Sequence, residues 1–433
     1  MNGESNSADV PDVETIGVIG LGYVGLPLAV AFAAAGRAVI GLDVDSSKLA
    51  RLQAGESYVE DVPGGAIVEN ADAFTWTSDY AELANADAVV IAVPTPLTPN
   101  REPDLGALVS SATALAGSLR KGQLVVLEST TYPGTTRERL VPMLEESGLK
   151  AGSDFFVAFS PERIDPGRTD YTMRTTPKVV GGDGPEASAR AKALYELVCD
   201  TVVEVSAPEV AEMTKLLENI YRAVNIALVN EMAVISDRMG IDIWEVVEAA
   251  ATKPFGFSSF KPGPGLGGHC LPVDPFYLSW KAREYGVSAE FVELAGRTNT
   301  NMPRVAAART IEALNKVGVA SSNAEVAILG VSYKPDVGDL RESPALAIMG
   351  QLKELGASLS YHDPHVDSLP GFDLKSEPLD EIVSRADLTV IVTAHSSIDY
   401  AAVVASAKQV LDFRGVTRGL DISEAQSERV VRL

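Results

Sequence analysis

Between Pro262 and Pro275 the chain reads PGPGLGGHCLPVDP, fourteen residues that hold four glycines, four prolines and one adjacent His–Cys pair. That density suits neither helix nor strand, because glycine is costly in both and proline removes a backbone donor. The stretch is expected to be a shaped loop, in which Gly263, Gly265, Gly267 and Gly268 let backbone N–H groups come close to a ligand. Pro272 fits the first turn of a helix, where its missing N–H is no loss, and this would set Cys270 near a helix N-terminus. There the helix dipole favours the thiolate, which is the nucleophilic form of cysteine. A buried structural thiol is the plainer alternative for a lone cysteine.

A second group that could do chemistry lies upstream. After Pro208 no glycine or proline occurs as far as Met239, and apolar residues recur at Val210, Met213, Leu217, Ile220, Val224 and Leu228 with helical spacing. One helix of this length would run roughly 45 Å at ~1.5 Å per residue. That is enough to link two domains and offer a face to a second copy of the chain. Lys215, Asn219 and Arg222 fall off the stripe and share a face. A solvated face would explain each alone, but a lysine and an asparagine turned toward the Cys270 loop would supply donors to a developing oxyanion.

The elements that must position these groups are legible as alternating strands and helices. The first ordered stretch, Thr15 to Gly36, runs from a β-branched strand through Gly20, Gly22 and Gly25, with Tyr23 and Val24 inside the turn, into an Ala-rich helix. A second strand then ends in Asp43. The glycines permit a tight turn and the approach of a pyrophosphate to the helix N-terminus, while Asp43 can accept from ribose hydroxyls. The pattern predicts NAD as cofactor, and the Asp43 carboxylate would repel the 2′-phosphate of NADP. Three further strands end in polar loops that carry Thr95, Thr130 and Glu162, candidates for the cofactor and substrate crevice at the carboxyl edge of the sheet. Each of them alone is equally a cap or turn residue. After Ser321 the alternation resumes without the glycine fingerprint, so a second dinucleotide is not expected there. Lys334 and Arg341 flank its first loop and suit phosphate oxygens, or surface ion pairs.

With 433 residues the chain is too long for one core. Apolar residues make up 46% and charged residues 22%, as in an ordinary globular protein, and no apolar run is long enough for a membrane segment. The polar, acidic first fourteen residues read as a disordered tail without a secretory signal, so a cytoplasmic protein is expected. Two cysteines, Cys199 and Cys270, make no disulfide framework, and no metal-ligand spacing surrounds them. A net charge of −23 argues against nucleic acid as a partner.

The pieces GLGYVGLP, STTYPGTT, SPER, KLLENIYRAVN, GPGLGGHCLPVDP and YKPDVGDLRESPA, in this order, resemble the UDP-glucose/GDP-mannose dehydrogenase family from about Ile16 to about Gly415. The resemblance implies an α/β protein with two Rossmann-like, doubly wound parallel-sheet domains joined by a long central helix and a helical domain. On this reading a tail (1–14) precedes an NAD domain (15–206), a central dimerisation domain with the Cys270 loop (207–320) and a UDP-sugar domain (321–433). It makes Cys270 the catalytic thiol, with Lys215, Asn219 and Asp274 as acid–base and oxyanion partners and Thr130 and Glu162 as further active-site positions. Arg341 would lie near the cofactor, beside Thr95 and Thr130. Substrate contacts would come from Glu162, Arg163, Lys215, Asn219, Arg222, Lys261, Gly267, His269 and Lys334.

The implied reaction is an NAD-dependent four-electron oxidation at C6 of a UDP-sugar, through a thiohemiacetal and a thioester on Cys270, for a surface polysaccharide precursor. Val273 before Asp274, and Arg163 in SPER, lean toward UDP-N-acetylglucosamine as substrate, with Arg163 or His269 donating to the 2-acetamido oxygen. UDP-N-acetylmannosamine and UDP-glucose are the near alternatives. A two-electron hydroxy-acid dehydrogenase and a catalytically silent binding protein are the distant ones. A homodimer through the long helix is expected.

Overall fold

The structure is a computed structural model that describes residues 12–164, 170–268 and 271–433. The chain divides into two compact units, Met1–Glu218 with Trp280–Val287, and Asn219–Ser279 with Ser288–Leu433.

The first unit is built on an eight-stranded sheet: β1 (Thr15–Ile19), β2 (Ala38–Leu42), β3 (Phe74–Thr77), β4 (Ala88–Ile91), β5 (Leu124–Leu127), β6 (Phe156–Phe159), β7 (Lys178–Gly182) and β8 (Val202–Val205). The order is β3-β2-β1-β4-β5-β6-β7-β8. Strands β1 to β6 are parallel in the order of a doubly wound dinucleotide fold. β7 pairs antiparallel with β6, and β8 follows β7 in parallel, so the last two strands run the other way. The central strands are apolar throughout because both faces are covered. Alternate residues go to opposite sides: Ile16, Val18, Val90 and Val126 enter one cluster, and Ile19, Val89, Ile91 and Val125 the other.

The second unit holds a parallel five-stranded sheet, with β9 (Glu325–Leu329) and β10 (Ser358–His362) followed by a small hairpin, β11 (Ser368–Leu369) and β12 (Leu374–Lys375). The sheet is completed by β13 (Leu388–Ile391), β14 (Val410–Asp412) and β15 (Val430–Arg432) in the order β10-β9-β13-β14-β15. The order reverses between β9 and β13, the other common doubly wound arrangement. The residues expected to form a separate helical domain contribute to this unit's core. Ala233, Trp244, Met302 and Ala306 share one cluster with Val326, Ile348 and Phe413. Trp244 Nε1 donates to Leu433 O at 3.0 Å.

The helix expected after Pro208 spans Pro208–Met239 without a break. Its buried face, however, coincides with the stripe read from hydropathy only at Ile220, with Val224 half-buried. Ala211, Leu216, Ala223 and Ala227 are buried, whereas Val210, Met213, Leu217 and Leu228 are exposed. Pro272 lies in the turn before a helix that starts at Asp274, and it is Pro275 that occupies the first helical turn. No helix among the described residues is long and apolar enough to cross a membrane.

Candidate active site

In the first unit the glycine turn follows β1 directly. Gly20 has φ +90°, and a Cβ there would come within 2.7 Å of Ala92 O, so neither the turn nor its contact with the β4 end tolerates a side chain. Gly25 opens the helix Gly25–Ala34, and a Cβ on it would run into Gly20 O. A Cβ on Gly22 would meet nothing within 4 Å, which leaves the turn open on the side where a pyrophosphate would approach the helix N-terminus. Tyr23 is exposed, and Val24 is the cap residue of the helix. Asp43 is buried and already holds this turn: Oδ2 accepts from Leu21 N at 2.9 Å and Lys48 Nζ at 3.0 Å, and Oδ1 from Asp45 N at 3.0 Å. These residues fit a dinucleotide, with the turn shaped for phosphate and the carboxylate fixed at the end of β2.

Thr95, Thr130 and Glu162 follow β4, β5 and β6, so the topology brings all three to the carboxyl edge of the sheet. Thr95 Oγ1 donates to Thr130 O at 2.7 Å. The neighbouring Thr131, passed over in the sequence, has a buried hydroxyl with no partner among the described residues.

Glu162 is the most heavily engaged of the three. Its Oε1 accepts from the N–H groups of Arg163 and Ile164 at 2.8 and 2.6 Å, and its Oε2 from Lys178 Nζ at 3.2 Å. Burial would raise its carboxyl, but Lys178, the Ile164 N–H and Lys215 outweigh burial and hold it below the ordinary carboxylate range. Its peptide carbonyl accepts from Lys215 Nζ at 2.6 Å. Lys215, predicted on a solvent-or-site face of the long helix, is 7% exposed. Arg163 forks onto Glu218, with Nη2–Oε1 at 2.7 Å and Nε–Oε2 at 3.3 Å, and its Nη1 donates to Pro177 O. That engagement leaves less of the guanidinium for the acetamido oxygen expected of it.

Sequence reading missed the group behind Glu162. Lys178 Nζ also lies 2.9 Å from Glu128 Oε1, which accepts from Tyr195 OH at 2.5 Å. Burial outweighs Lys178 and holds the Glu128 carboxyl above its ordinary value, whereas its two carboxylate neighbours hold Lys178 above its own despite burial.

In the second unit, Asn219 and Asp274 are both buried, and Asn219 Nδ2 donates to Asp274 Oδ2 at 2.5 Å. Asp274 stands in the first turn of its helix, where a negative charge is favoured. Arg222 and Lys261 are exposed, so the face shared by Lys215, Asn219 and Arg222 is buried at its first two positions and not at the third.

The glycines of the 262–268 loop prove to serve chain packing. A Cβ on Gly267 would lie 2.6 Å from Tyr333 Cβ and 2.9 Å from Glu342 O. Gly268 has φ +81° and donates from its N–H to Arg341 O at 3.0 Å, and Gly263 N donates to Asn230 Oδ1 at 2.9 Å. The loop therefore lies against residues 333–344, where Asp336 and Glu342 adopt positive φ. In that segment Arg341 pairs with Asp339, Nη2 to Oδ2 at 2.5 Å, and the Lys334 ammonium stands 5.7 Å from the Tyr333 ring centre. His269 and Cys270 lie outside the described residues.

A doubly wound domain with a glycine turn, a strand-end aspartate and a carboxyl-edge cluster of polar groups, together with a second parallel α/β unit, defines an NAD-dependent oxidoreductase with a further nucleotide-binding unit. Family models place it more closely. Residues 14–199 match the NAD binding domain of the UDP-glucose/GDP-mannose dehydrogenase family, 209–301 its central domain and 327–419 its UDP binding domain. The chain belongs to this family. It is 37% identical over 355 residues to a UDP-N-acetyl-D-glucosamine 6-dehydrogenase of Pseudomonas aeruginosa, covering 82% of this chain and 83% of the relative. It is 34% identical over 390 residues to a UDP-N-acetyl-D-mannosamine dehydrogenase of Methanococcus maripaludis, covering 89% and 87%. The solved structure of the UDP-D-ManNAc dehydrogenase of Pyrococcus horikoshii is similar with a TM-score of 0.86 at 33% identity, over 94% of this chain and 97% of that one. The chain is thus an NAD-dependent nucleotide-sugar dehydrogenase.

Proposed function

We propose that the chain oxidises C6 of UDP-N-acetylglucosamine to the uronic acid, a four-electron reaction with Cys270 as the covalent nucleophile. The observation that carries the site reading is the buried lysine of the long helix, whose Nζ is held 2.6 Å from the Glu162 carbonyl. One turn further along the same helix, Asn219 is hydrogen-bonded to Asp274. A fixed cation and a fixed amide are the donors that a developing oxyanion requires. NAD, held by the Gly20–Gly25 turn and Asp43, supplies the hydride acceptor when bound. The first oxidation leaves an aldehyde, on which the Cys270 thiolate closes to a thiohemiacetal, with Lys215 and Asn219 donating to its oxygen. The second leaves a thioester, which water hydrolyses with Asp274 as base, directly or through Lys215.

UDP-N-acetylmannosamine is the second reading for the substrate, favoured by the names of the Methanococcus and Pyrococcus relatives. Lys334 and Arg341 of the second unit are assigned to the diphosphate and the cofactor side respectively. A homodimer through the long helix is supported by the exposed apolar run Met213, Leu217, Tyr221, Leu228, Met232 and Ile235. The product fits a polysaccharide precursor pathway.

The test is NADH counted per sugar for UDP-glucose, UDP-N-acetylglucosamine, UDP-N-acetylgalactosamine and UDP-N-acetylmannosamine. Two NADH per UDP-N-acetylglucosamine are expected, and one per sugar would reduce the chemistry to a two-electron step. Cys270→Ser should keep cofactor and substrate binding while losing acid formation. Acid formed at the unmodified rate would remove Cys270 from the mechanism.

A further inference from the structure

Lys178 opens β7, the strand that reverses direction, and this reversal sets its side chain at the edge where β5 and β6 end. In the β6–β7 ladder Phe159 faces Gly181, and that register, run on three residues, brings Glu162 level with Lys178. The ammonium bridges two carboxyl groups from different loops, Glu128 Oε1 at 2.9 Å and Glu162 Oε2 at 3.2 Å, and stands 5.0 Å from the Tyr195 ring centre. Lys178 is 5% exposed and the Glu128 side chain 0%. A buried ion pair is a weak stability device, since apolar side chains of similar volume often serve as well. What this one does is geometric. The Glu162–Ile164 segment has no regular structure to hold it. It is anchored by the Arg163 fork onto Glu218 and Pro177 O, by the Glu162 carboxylate, closed onto its own backbone N–H groups and onto Lys178, and by the peptide carbonyl that receives Lys215 Nζ.

We propose that Lys178 is a positioning residue of the reaction: backed by Glu128 and Tyr195, it pins Glu162 so that the Glu162 carbonyl holds the Lys215 ammonium in register for catalysis. The inference rests on the reading of Lys215 as an oxyanion donor given above. On this proposal Lys178 acts through Glu162 and Lys215 rather than by contact with the cofactor or the substrate. Its loss leaves the glycine turn and Asp43 unchanged, and lets the 162–164 segment and Lys215 drift.

The experiment compares Lys178→Met, Lys178→Arg, Glu128→Gln, Lys215→Met and the double variant Lys178→Met/Lys215→Met. Each is the full chain, assayed with NAD and the UDP-sugar that the unmodified protein turns over. Misplacement by about 1 Å lowers rates on the order of 10²-fold, so Lys178→Met should lower kcat on that scale with the KM for NAD unchanged. Lys178→Arg should recover part of the loss, and the double variant should be no slower than Lys215→Met alone. Unmodified kcat in Lys178→Met overturns the proposal, as does a loss confined to KM. If Lys178→Met does not fold, Glu128→Gln decides: a lowered kcat with the KM for NAD held supports the proposal, and an unmodified kcat overturns it. Full activity in Lys215→Met would instead sink the reading of Lys215. A crippled Lys215→Met beside an unaffected Lys178→Met sinks the Lys178 proposal alone.

Discussion

The two units solve the same problem at their first turn with different chemistry. In the first, Gly20 donates its N–H to Leu42 O at 2.8 Å, and the Asp43 carboxylate at the end of β2 receives the next N–H, that of Leu21. In the second, Gly330 donates to His362 O at 3.0 Å, and Asp363, at the end of β10, receives the N–H groups of Val331 and Ser332 at 2.7 and 3.1 Å. Both glycines have positive φ, and a Cβ on either would press on a carbonyl of the neighbouring strand end, Ala92 or Thr393. What differs is the counter-group. Asp43 leans on Lys48, which is partly exposed, and Asp363 on His395, whose side chain is 0% exposed. Both ring nitrogens of His395 are engaged, Nδ1 by the Asp336 N–H and Nε2 by Asp363. The strand-end aspartate is thus a turn-holding device common to both units. The units also differ in the residues beyond the turn: Gly22 and Gly25 in one unit, a long loop ending at the Ser343 cap in the other.

The equivalence can be broken most severely at the two glycines. A β-branched residue at positive φ adds strain of about 1–2 kcal/mol, and the carbonyl contact adds more. Gly20→Val should therefore abolish NAD binding in calorimetric titration and leave UDP binding intact. Gly330→Val should do the reverse. Loss of both ligands in either variant would mean that the units do not keep separate turns.

Next come the aspartates. Asp363→Ala strands a buried histidine and three N–H groups, a loss on the order of 3–5 kcal/mol. Asp43→Ala removes acceptors from two N–H groups and a lysine that can turn to water, about 1–3 kcal/mol. Urea unfolding followed by hydrogen exchange in each unit ranks the two. Asp43→Ala should also narrow the preference for NAD over NADP. Equal costs would show that the histidine adds nothing.

One buried carboxyl in each unit gives stability a pH dependence of opposite sign. In the first, burial pushes the Glu212 carboxyl up to about 7 against the hydrogen bonds from Thr136 and Gly134. The fold therefore binds this proton more tightly than the unfolded chain does. Its contribution is full below the unfolded value near 4.5 and is lost as pH rises through about 7, at up to roughly 1.4 kcal/mol per pH unit. In the second, burial would raise Asp363, but the His395 hydrogen bond and the N–H groups of Val331 and His365 outweigh it and hold the carboxyl low. That contribution is present above the unfolded value near 3.8 and lost as pH falls below it. Glu212→Gln should flatten the stability slope between about pH 5 and 7. An unchanged slope in that variant would assign the neutral-pH loss to other groups.

How much of this was legible depends on whether a feature is local. The Gly20 turn and the helix Pro208–Met239 are written in spacing over a few residues, and they stand where the spacing put them. The facing of that helix was not legible. Of the stripe that hydropathy selected, Ile220 is buried but Val210, Met213, Leu217 and Leu228 are exposed, while the polar Lys215 and Asn219 are buried. A stripe reports an apolar face without saying whether chain or solvent covers it. Glu128 and Lys178 are far apart in sequence and meet because β7 runs antiparallel to β6, an orientation that no local pattern encodes. Asp363 sits in a motif, SYHDP, that reads as a strand end, and its role is visible only when β9 and β10 are paired. The loop glycines were read for ligand approach, and the packing of Gly267 and Gly268 on Tyr333 was not legible, because the partner segment is distant in sequence.

The mildest change tests whether the comparison stops at the turns. Gly350 lies inside the helix Pro344–Glu354, which comes after the loop of the second unit, and a Cβ there would meet nothing within 4 Å. Glycine within a helix is less favourable than alanine by roughly 0.5–1 kcal/mol, because the unfolded chain has more freedom to lose. With no clash to offset that gain, Gly350→Ala should raise the unfolding midpoint by about 1–4 °C, and NAD and UDP affinities should stay as they were. A lower midpoint would mean that the space beside Gly350 is taken in solution, by a second copy of the chain or by another part of this one, and sedimentation velocity on the same sample separates the two.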